Sequence, residues 1–439
     1  MKKIFYIISN FGINSSTPAE LIEETKLVNI ISFLGVPICI SFVFIFGLTG
    51  YYILALTFLI GVGIFTLPTF LNKWFGLNVG RVFITIMAPL FFGIVSVLSG
   101  KDLGFYLGFL VVSVPPIIVF PTLKKAIFFV IISIILLILS IIGNIVITPI
   151  AEIPFAMGIF ILNLFTVLIT IIVLVYFFKS QLNESMAVVF EKNKEMTDSI
   201  NYAKKIQTSL LAHNDFLNIN LPEHFTLFKP KDIVSGDFYW ATKTKDNFYL
   251  AVCDSTGHGV PGAFMSLLNI SFLNEAINEK NISEPNLILN HVRQRLIENM
   301  SGAQDGMDAI LLKIPINKSA SKIEYAAANN SPILIRNQEI IEFPKDKMPV
   351  GKGESLSSFN LHSIDLQKGD HLYLYTDGFA DQFGGSKGKK FKYKALNNLL
   401  LQNSKIGMNE QFQVLNTTIL DWKGELEQVD DICLIGIKF

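Results

Sequence analysis

The distribution of apolar residues divides the chain into two halves of different character. In the first half, six apolar stretches follow one another, near 29–49, 51–71, 82–100, 104–122, 126–148 and 156–178. Each can form a helix of about 20 residues, which matches the hydrocarbon core of a bilayer. The pattern therefore predicts six transmembrane helices, the fourth kinked at Pro115-Pro116. Helices buried in a large soluble protein are the alternative, which so many consecutive runs disfavour.

Charged residues are correspondingly scarce in this half. Residues 1–179 contain nine Lys/Arg and five Asp/Glu, whereas residues 180–439 contain 27 and 31. The net charge is zero, so the composition suggests no nucleic-acid partner. Cys39, Cys253 and Cys433 are scattered and form no CxxC pair, so neither a disulfide framework nor a zinc site is indicated.

The orientation of the predicted spans follows from their flanking basic residues. Cytoplasmic loops carry an excess of Lys and Arg. With the N-terminus inside, only Lys101 lies in an outside loop, and the inside segments contain Lys2, Lys3, Lys26, Lys73, Arg81, Lys124, Lys125 and Lys179. Six spans then place the C-terminal half on the cytoplasmic side of the cell (inner) membrane. The spans contain no recognisable buried pair of charges, which a transporter would usually have, so we interpret them as an anchor or a sensor.

A heptad-like pattern follows the last predicted span. Apolar residues at alternating spacings of four and three form a seam: Leu182, Met186, Val189, Met196, Ile200, Ala203 and Leu210, with Asn193 and Gln207 at polar seam positions. Such a seam predicts a parallel two-stranded coiled coil, and hence a homodimer. A single amphipathic helix packed on its own catalytic domain is the alternative.

Strand-like and helical patterns alternate after residue 220. Phe248–Cys253, Lys322–Ala328, His371–Thr376 and Ile432–Phe439 are rich in β-branched and aromatic residues, which predicts strands. Helices are predicted from Pro261 to about residue 280, over Glu284–Asn299 and over Asn409–Lys423.

Aspartates lie where these apolar strands begin or end. They are Asp237, Asp254, Asp377 and the adjacent Asp430 and Asp431. Singly, each is more typical of a turn or a cap than of a site, since Asp-Gly is common turn chemistry. As a set of carboxylates from distant positions they suit hard cations such as Mg²⁺ or Mn²⁺.

Six motifs in this half resemble a known family. They occur in the order KPKDIVSGDFYW (229–240), VCDSTGHGVPGAFMSLL (252–268), DGMDAILLKI (305–314), YAAANNSPILI (325–335), GDHLYLYTDGFADQFGG (369–385) and QVDDICLIGIKF (428–439). This half is similar to the sporulation-stage-II-protein-E (SpoIIE) type of protein phosphatase, a bacterial branch of the 2C-type metal-dependent phosphatases. The resemblance covers residues 200–439 and does not extend to the membrane half.

The resemblance implies a β-sandwich of two sheets flanked by helices, with two Mn²⁺ or Mg²⁺ ions. It assigns the metal and catalytic carboxylates to Asp237, Asp254, Asp377 and Asp430, with the main-chain carbonyl of Ser255 as a further ligand. Asp431 and Asp308 are open as additional ligands. The implied substrate is phosphoserine or phosphothreonine on a cytoplasmic signalling protein, such as an anti-sigma-factor antagonist of a partner-switching or stress-response pathway.

Two further features of this half have open interpretations. His258 is either a general acid or a loop residue near a helix start. The acid role is disfavoured because two extra residues, Ser255 and Thr256, make the turn after Asp254 longer than the DGHG-like turn of the animal-type relatives. A basic run comprises Lys387, Lys389, Lys390, Lys392 and Lys394. It is either a solvated loop or a flap that attracts an acidic or phosphorylated substrate.

The sequence thus predicts an all-α transmembrane bundle joined to an α/β catalytic domain. The expected domains are 1–179 (six membrane helices), 180–212 (coiled-coil-like linker) and 213–439 (phosphatase). The predicted function is a membrane-anchored protein serine/threonine phosphatase that activates water on two metal ions. A catalytically dead binding module, another membrane signalling enzyme such as a nucleotide cyclase or histidine kinase, and a six-span transporter are the competing interpretations.

Overall fold

The computed structural model describes residues 7–13, 17–150, 152–300, 305–316 and 322–439. Its contacts divide the chain into two compact units, 1–189 and 190–439. This division falls inside the predicted linker 180–212, so the three predicted domain boundaries remain predictions. Lys2 and Lys3, on which the predicted orientation partly depends, lie outside the described residues.

The first unit is helical and contains the six apolar segments that the sequence predicts. Five of them form long continuous helices, and the fourth is broken. The helices are α1 (Ala19–Leu48), α2 (Tyr52–Phe75), α3 (Leu77–Ser99), α4 (Phe109–Val112), α5 (Pro115–Val119), α6 (Leu123–Val146) and α7 (Ala156–Leu210). Many of their large apolar side chains are exposed, as expected of helices surrounded by lipid.

The fourth segment corrects the prediction of one kinked helix over 104–122. A 3₁₀ turn at Phe105–Gly108 leads into α4, and α5 begins at Pro115. Proline lacks the amide proton that would continue α4 and favours the first turn of a new helix. Two short helices therefore replace one.

A buried ion pair lies in this unit, at residues just outside the predicted spans 29–49 and 82–100. Arg81, near the start of α3, is 4% exposed, and its guanidinium lies 2.8 Å from the carboxylate of Glu24 in α1. Arg81 also donates a hydrogen bond to the main-chain oxygen of Val119, the last residue of α5, at 3.3 Å. The pair thus ties the broken segment to α1. Helices α1 and α3 therefore share a buried charge pair, although the predicted spans 29–49 and 82–100 do not include it.

The second unit is built from two antiparallel sheets. The strands of the first sheet are β1 (His224–Lys229), β6 (Ile333–Arg336), β7 (Glu339–Glu342), β10 (His371–Tyr375) and β13 (Ile432–Lys438). Those of the second are β2 (Asp237–Lys243), β3 (Asn247–Ser255), β4 (Gly306–Pro315), β5 (Lys322–Ala328), β8 (Val350–Gly351) and β9 (His362–Asp365). The first sheet has the strand order β1-β13-β10-β6-β7, and the second has the order β2-β3-β4-β5-β9, with β8 paired to β4.

Helices pack around the two sheets. They are α8 (Asn214–Asn220), α9 (Gly259–Asn274), α10 (Pro285–Asn299), α11 (Gly378–Asp381), α12 (Tyr393–Asn403) and α13 (Met408–Lys423). A π-helical turn, Glu275–Glu279, extends α9. The segment Gly259–Glu279 is apolar enough to span a membrane, but 56% of its most apolar window is buried inside this unit.

Strand alternation builds three apolar layers. In β3, Leu250 and Val252 face the other sheet, where they join Leu374 and Ile435, whereas Tyr249 and its alternate neighbours face α9 and α10. Helices α12 and α13 pack on the outer face of the other sheet. Because side chains alternate between the faces of a strand, this produces the β-sandwich flanked by helices that the resemblance implies.

Candidate active site

Three carboxylates lie side by side across the second sheet. The register pairs Asp237 of β2 with Asp254 of β3, and Asp254 with Asp308 of β4. Residues directly opposite in an antiparallel pair point to the same face, and like charges in that position are destabilising. Asp308, left open as a ligand by the sequence, therefore belongs to the same row.

The other sheet contributes its carboxylates at the same end. Asp377 follows β10, and Asp430 precedes β13, which is hydrogen-bonded to β10. Thr376 connects the two sheets. Its hydroxyl donates a hydrogen bond to the Asp237 carboxylate at 2.5 Å, and its backbone amide donates one to the Cys433 carbonyl at 2.9 Å. The sequence motif therefore places Asp377 next to the residue that anchors Asp237.

Burial and mutual repulsion raise the pKa values of these carboxyl groups. Burial, and then the charge of Asp377, raise the pKa of Asp254 to about 8. Burial and the charge of Asp430 raise the pKa of Asp377 to about 6. Burial and the charge of Asp254 raise the pKa of Asp237 well above its usual range. The group thus concentrates carboxylates whose burial and mutual repulsion the nearby Lys390 only partly offsets.

The donor set fits a hard divalent cation. All its atoms are carboxylate or carbonyl oxygens, which Mg²⁺ and Mn²⁺ prefer, and a cation would relieve their repulsion. Within the described ranges, however, no three acidic, histidine or cysteine side chains form a complete metal-binding group. Charge acts over longer distances than coordination bonds do. The carboxylates are therefore gathered at one end of the sandwich without converging on one point, and their assignment as ligands remains a prediction.

Asp431 differs from its neighbour Asp430. It is 1% exposed, and its two oxygens accept the backbone amides of Lys231 and Gly236, both at 2.7 Å. It thus fixes the loop that leads into Asp237. Asp430 is only half-buried, and its Oδ1 accepts the amide of Asp431 at 2.9 Å. One carboxylate therefore holds the loop while the other faces the acidic group.

Close backbone contacts explain the glycines of the motifs. The carbonyl oxygen of Gly257 lies so near Gly236 and Gly262 that a Cβ atom on either would approach it to 2.2 or 2.1 Å. A Cβ atom on Gly378 would approach the carbonyl oxygen of Asp431 to 1.9 Å. These positions exclude larger residues, and they bring the loops carrying the carboxylates together.

Ser255 is the last residue of β3, and His258 lies in the loop that follows. The Ser255 hydroxyl accepts a hydrogen bond from the Asn269 side chain at 3.1 Å, which fixes the turn whose carbonyl is the predicted ligand. His258 is exposed and lies 3.0 Å from the carboxylate of Asp232 and 3.1 Å from the Lys231 amine. It precedes α9 directly. The described contacts thus agree with a loop residue at a helix start.

Some residues of this region escaped the sequence prediction. Asn329 donates to the Asp308 carboxylate at 2.8 Å, and Asn330 donates to the Tyr375 carbonyl at 3.0 Å, which joins the two sheets. The Asn-Asn pair directly after a strand was the available signal, because asparagine tolerates a positive φ, here 54° at Asn329.

Gln207 was predicted as a polar seam position but is buried in the second unit. Its side chain donates to the Ser235 carbonyl at 2.6 Å and to the Ser266 hydroxyl at 2.8 Å, and it accepts the Ser235 amide at 3.1 Å. The end of α7 therefore packs against the segment that precedes Asp237. For this end of the helix, the alternative interpretation applies, that of an amphipathic helix packed on its own catalytic domain.

Comparison with known proteins places this site in a family. Residues 244–439 match the family model described as Stage II sporulation protein E (SpoIIE). The solved structure of the SiaA-PP2C domain of Pseudomonas aeruginosa is 31% identical, with a TM-score of 0.52. The match covers 56% of this chain and 98% of that domain. The chain belongs to the SpoIIE family of PP2C-type phosphatases.

Two curated proteins are also similar to this SpoIIE-family chain. Phosphoserine phosphatase RsbU of Bacillus subtilis (strain 168) is 22% identical over 197 residues, which is 43% of this chain and 55% of RsbU. Protein IcfG of Synechocystis sp. is 27% identical over 281 residues, 56% of this chain and 43% of IcfG. The chain thus spans about half the length of these curated relatives.

Proposed function

We propose that the protein is a membrane-anchored, metal-dependent protein serine/threonine phosphatase. The observation that carries this proposal is the row of Asp237, Asp254 and Asp308 across one sheet, with Asp377 and Asp430 at the same end of the other. Carboxylates so placed repel one another unless cations lie between them. Family membership supports hydrolysis of a phosphate ester.

The metal ligands in this proposal are Asp237, Asp254, Asp377 and Asp430 with the Ser255 carbonyl. Two bound Mn²⁺ or Mg²⁺ ions would supply Lewis acidity and a water of lowered pKa at neutral pH. The chain itself supplies position. Thr376 orients Asp237, and Asp431 holds the loop before it.

The proposed substrate is phosphoserine or phosphothreonine on a cytoplasmic signalling protein. The curated relative RsbU is named a phosphoserine phosphatase, which supports phosphoserine as the group that is hydrolysed. An anti-sigma-factor antagonist, or a similar protein of a partner-switching or stress-response pathway, is the proposed partner.

The proposed location of the phosphatase domain is the cytoplasmic side of the cell (inner) membrane. The excess of Lys and Arg on one side of the apolar segments supports it. The orientation requires the broken segment around α4 and α5 to cross the bilayer, since the five long helices alone would leave the domain outside. A reporter active only in the cytoplasm, fused after Phe439, should be active, and one inserted after Lys101 should be silent. The opposite pattern would contradict the orientation.

We also propose that α7 pairs with its counterpart in a second copy. Its apolar seam is exposed within the chain at Leu182, Met186, Val189 and Met196, and exposed apolar stripes of this kind usually mark an interface. Gln207 faces its own domain, so the paired part would end before it. A cysteine at the seam position Asn193 should form a disulfide-linked dimer in membranes, whereas one at the exposed off-seam position Lys194 should do so far less. Equal cross-linking of both would contradict the pairing.

Metal-dependent hydrolysis by the full-length protein in detergent tests the proposed function. Phosphate release from a phosphoserine peptide should disappear in EDTA, return with excess Mn²⁺, and remain absent in Asp377→Asn. Asp246→Asn, at an exposed turn far along β2 and β3 from the site, is the matched control and should behave as the wild type. Full activity in EDTA would overturn the proposal.

A further inference from the structure

The basic run of the sequence forms an ordered element. A two-stranded hairpin, β11 (Phe383–Gly384) and β12 (Lys389–Lys390), leads into α12. We call residues 383–394 the basic hairpin. Its lysines are exposed: Lys387, Lys389, Lys390, Lys392 and Lys394. Within the described part of the chain, only Lys390 among them forms an ion pair, with Asp381 at 2.7 Å.

Backbone contacts hold the basic hairpin against α11, the turn that follows Asp377. The Lys392 amide donates to the Ala380 carbonyl at 2.6 Å, and the Phe391 amide donates to the Gln382 carbonyl at 2.9 Å. Lys392 has φ 75° and ψ 146°, a conformation that residues with side chains rarely adopt. Such a conformation persists only where surrounding contacts impose it, so the hairpin has a defined position.

Aromatic packing adds to this attachment. The ring of Phe391 meets the rings of Phe379 in α11 and Trp422 in α13, each at a centroid distance of 5.2 Å and nearly perpendicular. Phe379 and Trp422 belong to elements that pack on the sheet core. These contacts fix the backbone of the run, while its lysine side chains remain exposed to solvent.

The basic hairpin also lies beside the carboxylates. The Lys390 amine is 2.7 Å from the carboxylate of Asp381, whose backbone amide donates to the main-chain oxygen of Asp377 at 2.9 Å. Tyr393, at the end of the hairpin, packs its ring against that of Tyr375, two residues before Asp377, with the ring centroids 6.0 Å apart. The lysines therefore border the site where a phosphorylated residue would arrive.

We propose that the basic hairpin is a docking surface for acidic residues that flank the phosphorylated residue of the protein substrate. This inference rests on the proposed function and specifies one further property of the substrate, the negative charge around its phosphorylated residue. Lys387, Lys389 and Lys394 have no acidic partner in the described chain, so their charges are free to meet one. A fixed positive surface beside an acidic site also counters the repulsion that the carboxylates exert on an incoming phosphoprotein.

The test compares two triple variants of the full-length protein in nanodiscs of zwitterionic lipid. The hairpin variant combines Lys387→Gln, Lys389→Gln and Lys394→Gln. The control variant combines Lys243→Gln, Lys245→Gln and Lys368→Gln, which removes the same charge from exposed positions at the opposite end of the sheets. Two phosphoserine peptides of equal length are used, one flanked by Glu and the other by Gln.

The expected readout is the ratio of kcat/KM values for the Glu-flanked and Gln-flanked peptides. The hairpin variant should lower this ratio about tenfold at low salt, the control variant should preserve it, and 0.5 M NaCl should remove most of the difference. An unchanged ratio in the hairpin variant would overturn the proposal. So would a loss seen only in nanodiscs containing anionic lipid, which would assign the surface to the membrane.

Binding separates this proposal from the proposed function. The fluorescence anisotropy of the labelled Glu-flanked peptide measures docking whether or not phosphate is released. Binding about tenfold weaker in the hairpin variant than in the control supports docking even if no hydrolysis occurs, in which case only the proposed function fails. Equal binding by both variants overturns docking, even if hydrolysis is confirmed.

Discussion

The two units of the molecule bury charge in opposite ways. In the membrane unit, the buried Arg81 is matched by Glu24 and by a carbonyl at the end of α5. In the catalytic unit, Asp237, Asp254 and Asp308 stand directly beside one another on one sheet. Buried opposite charges complete a local structure, whereas buried like charges leave it electrostatically incomplete.

This difference gives opposite expectations for the loss of one charge. Removing one member of a buried ion pair strands the other and destabilises the fold. Removing one of several neighbouring carboxylates relieves repulsion and, in the absence of metal, leaves the fold as stable or more stable. Catalytic activity should respond in the opposite way, and should fall most when a carboxylate of the catalytic unit is removed.

The largest effect is expected for Asp254→Asn, at the centre of the row. Hydrolysis should fall on the order of 10³-fold, equivalent to about 4 kcal/mol, because a central ligand carboxylate is lost. In EDTA the variant should melt at the same temperature as the wild type or higher. A clearly lower melting temperature would mean that the Asp254 carboxylate is a paired structural group, and it would break the contrast between the units.

Asp431→Ala should combine both kinds of effect. It leaves the buried amide of Gly236 and the half-buried amide of Lys231 without an acceptor, which costs about 1–3 kcal/mol for the first and less for the second. The displaced loop should lower activity about 10- to 100-fold. Asp431→Asn retains one acceptor and should be intermediate in both kinetics and thermal unfolding. Equal, near-complete loss of activity in both variants with unchanged stability would assign Asp431 to the ligands instead.

Glu24→Gln tests the paired charge of the membrane unit. Because Glu24 is partly exposed, the free energy of unfolding should fall by only about 1–3 kcal/mol. The exposed Asp102→Asn serves as the control, and thermal unfolding in detergent is the measurement. The contrast fails if Glu24→Gln is as stable as this control.

Asp308→Asn should have the smallest effect. The Asp308 carboxylate is at the edge of the row and already accepts a hydrogen bond from Asn329. We expect activity to fall about fivefold, equivalent to about 1 kcal/mol. A loss as large as that of Asp254→Asn would make Asp308 a central ligand.

Much of the catalytic unit could be predicted from local patterns. The predicted strand over Lys322–Ala328 is β5 itself, and Glu284–Asn299 differs from α10 by one residue. A strand with apolar residues on both faces is a continuous apolar run, which can be recognised in the sequence alone. The aspartates at the strand ends were likewise visible, because the polarity changes abruptly there.

Features that depend on distant residues could not be predicted. Arg81 and Glu24 are 57 positions apart, and nothing local marks their pairing. Asp430 and Asp431 are identical in type and adjacent, so only the loop contacts distinguish their roles. The basic hairpin was ambiguous because its position depends on Phe391, whose aromatic partners lie in other elements.

Direct binding of Mn²⁺ to the full-length protein in detergent tests the central claim, that the unpaired carboxylates form a cation site. Electron paramagnetic resonance of free Mn²⁺ gives the number of ions bound at each total concentration. The wild type should bind about two ions per chain saturably, and Asp254→Asn should bind them at least tenfold more weakly. If the wild type binds no more Mn²⁺ than Asp254→Asn does, the acidic cluster is not a metal centre.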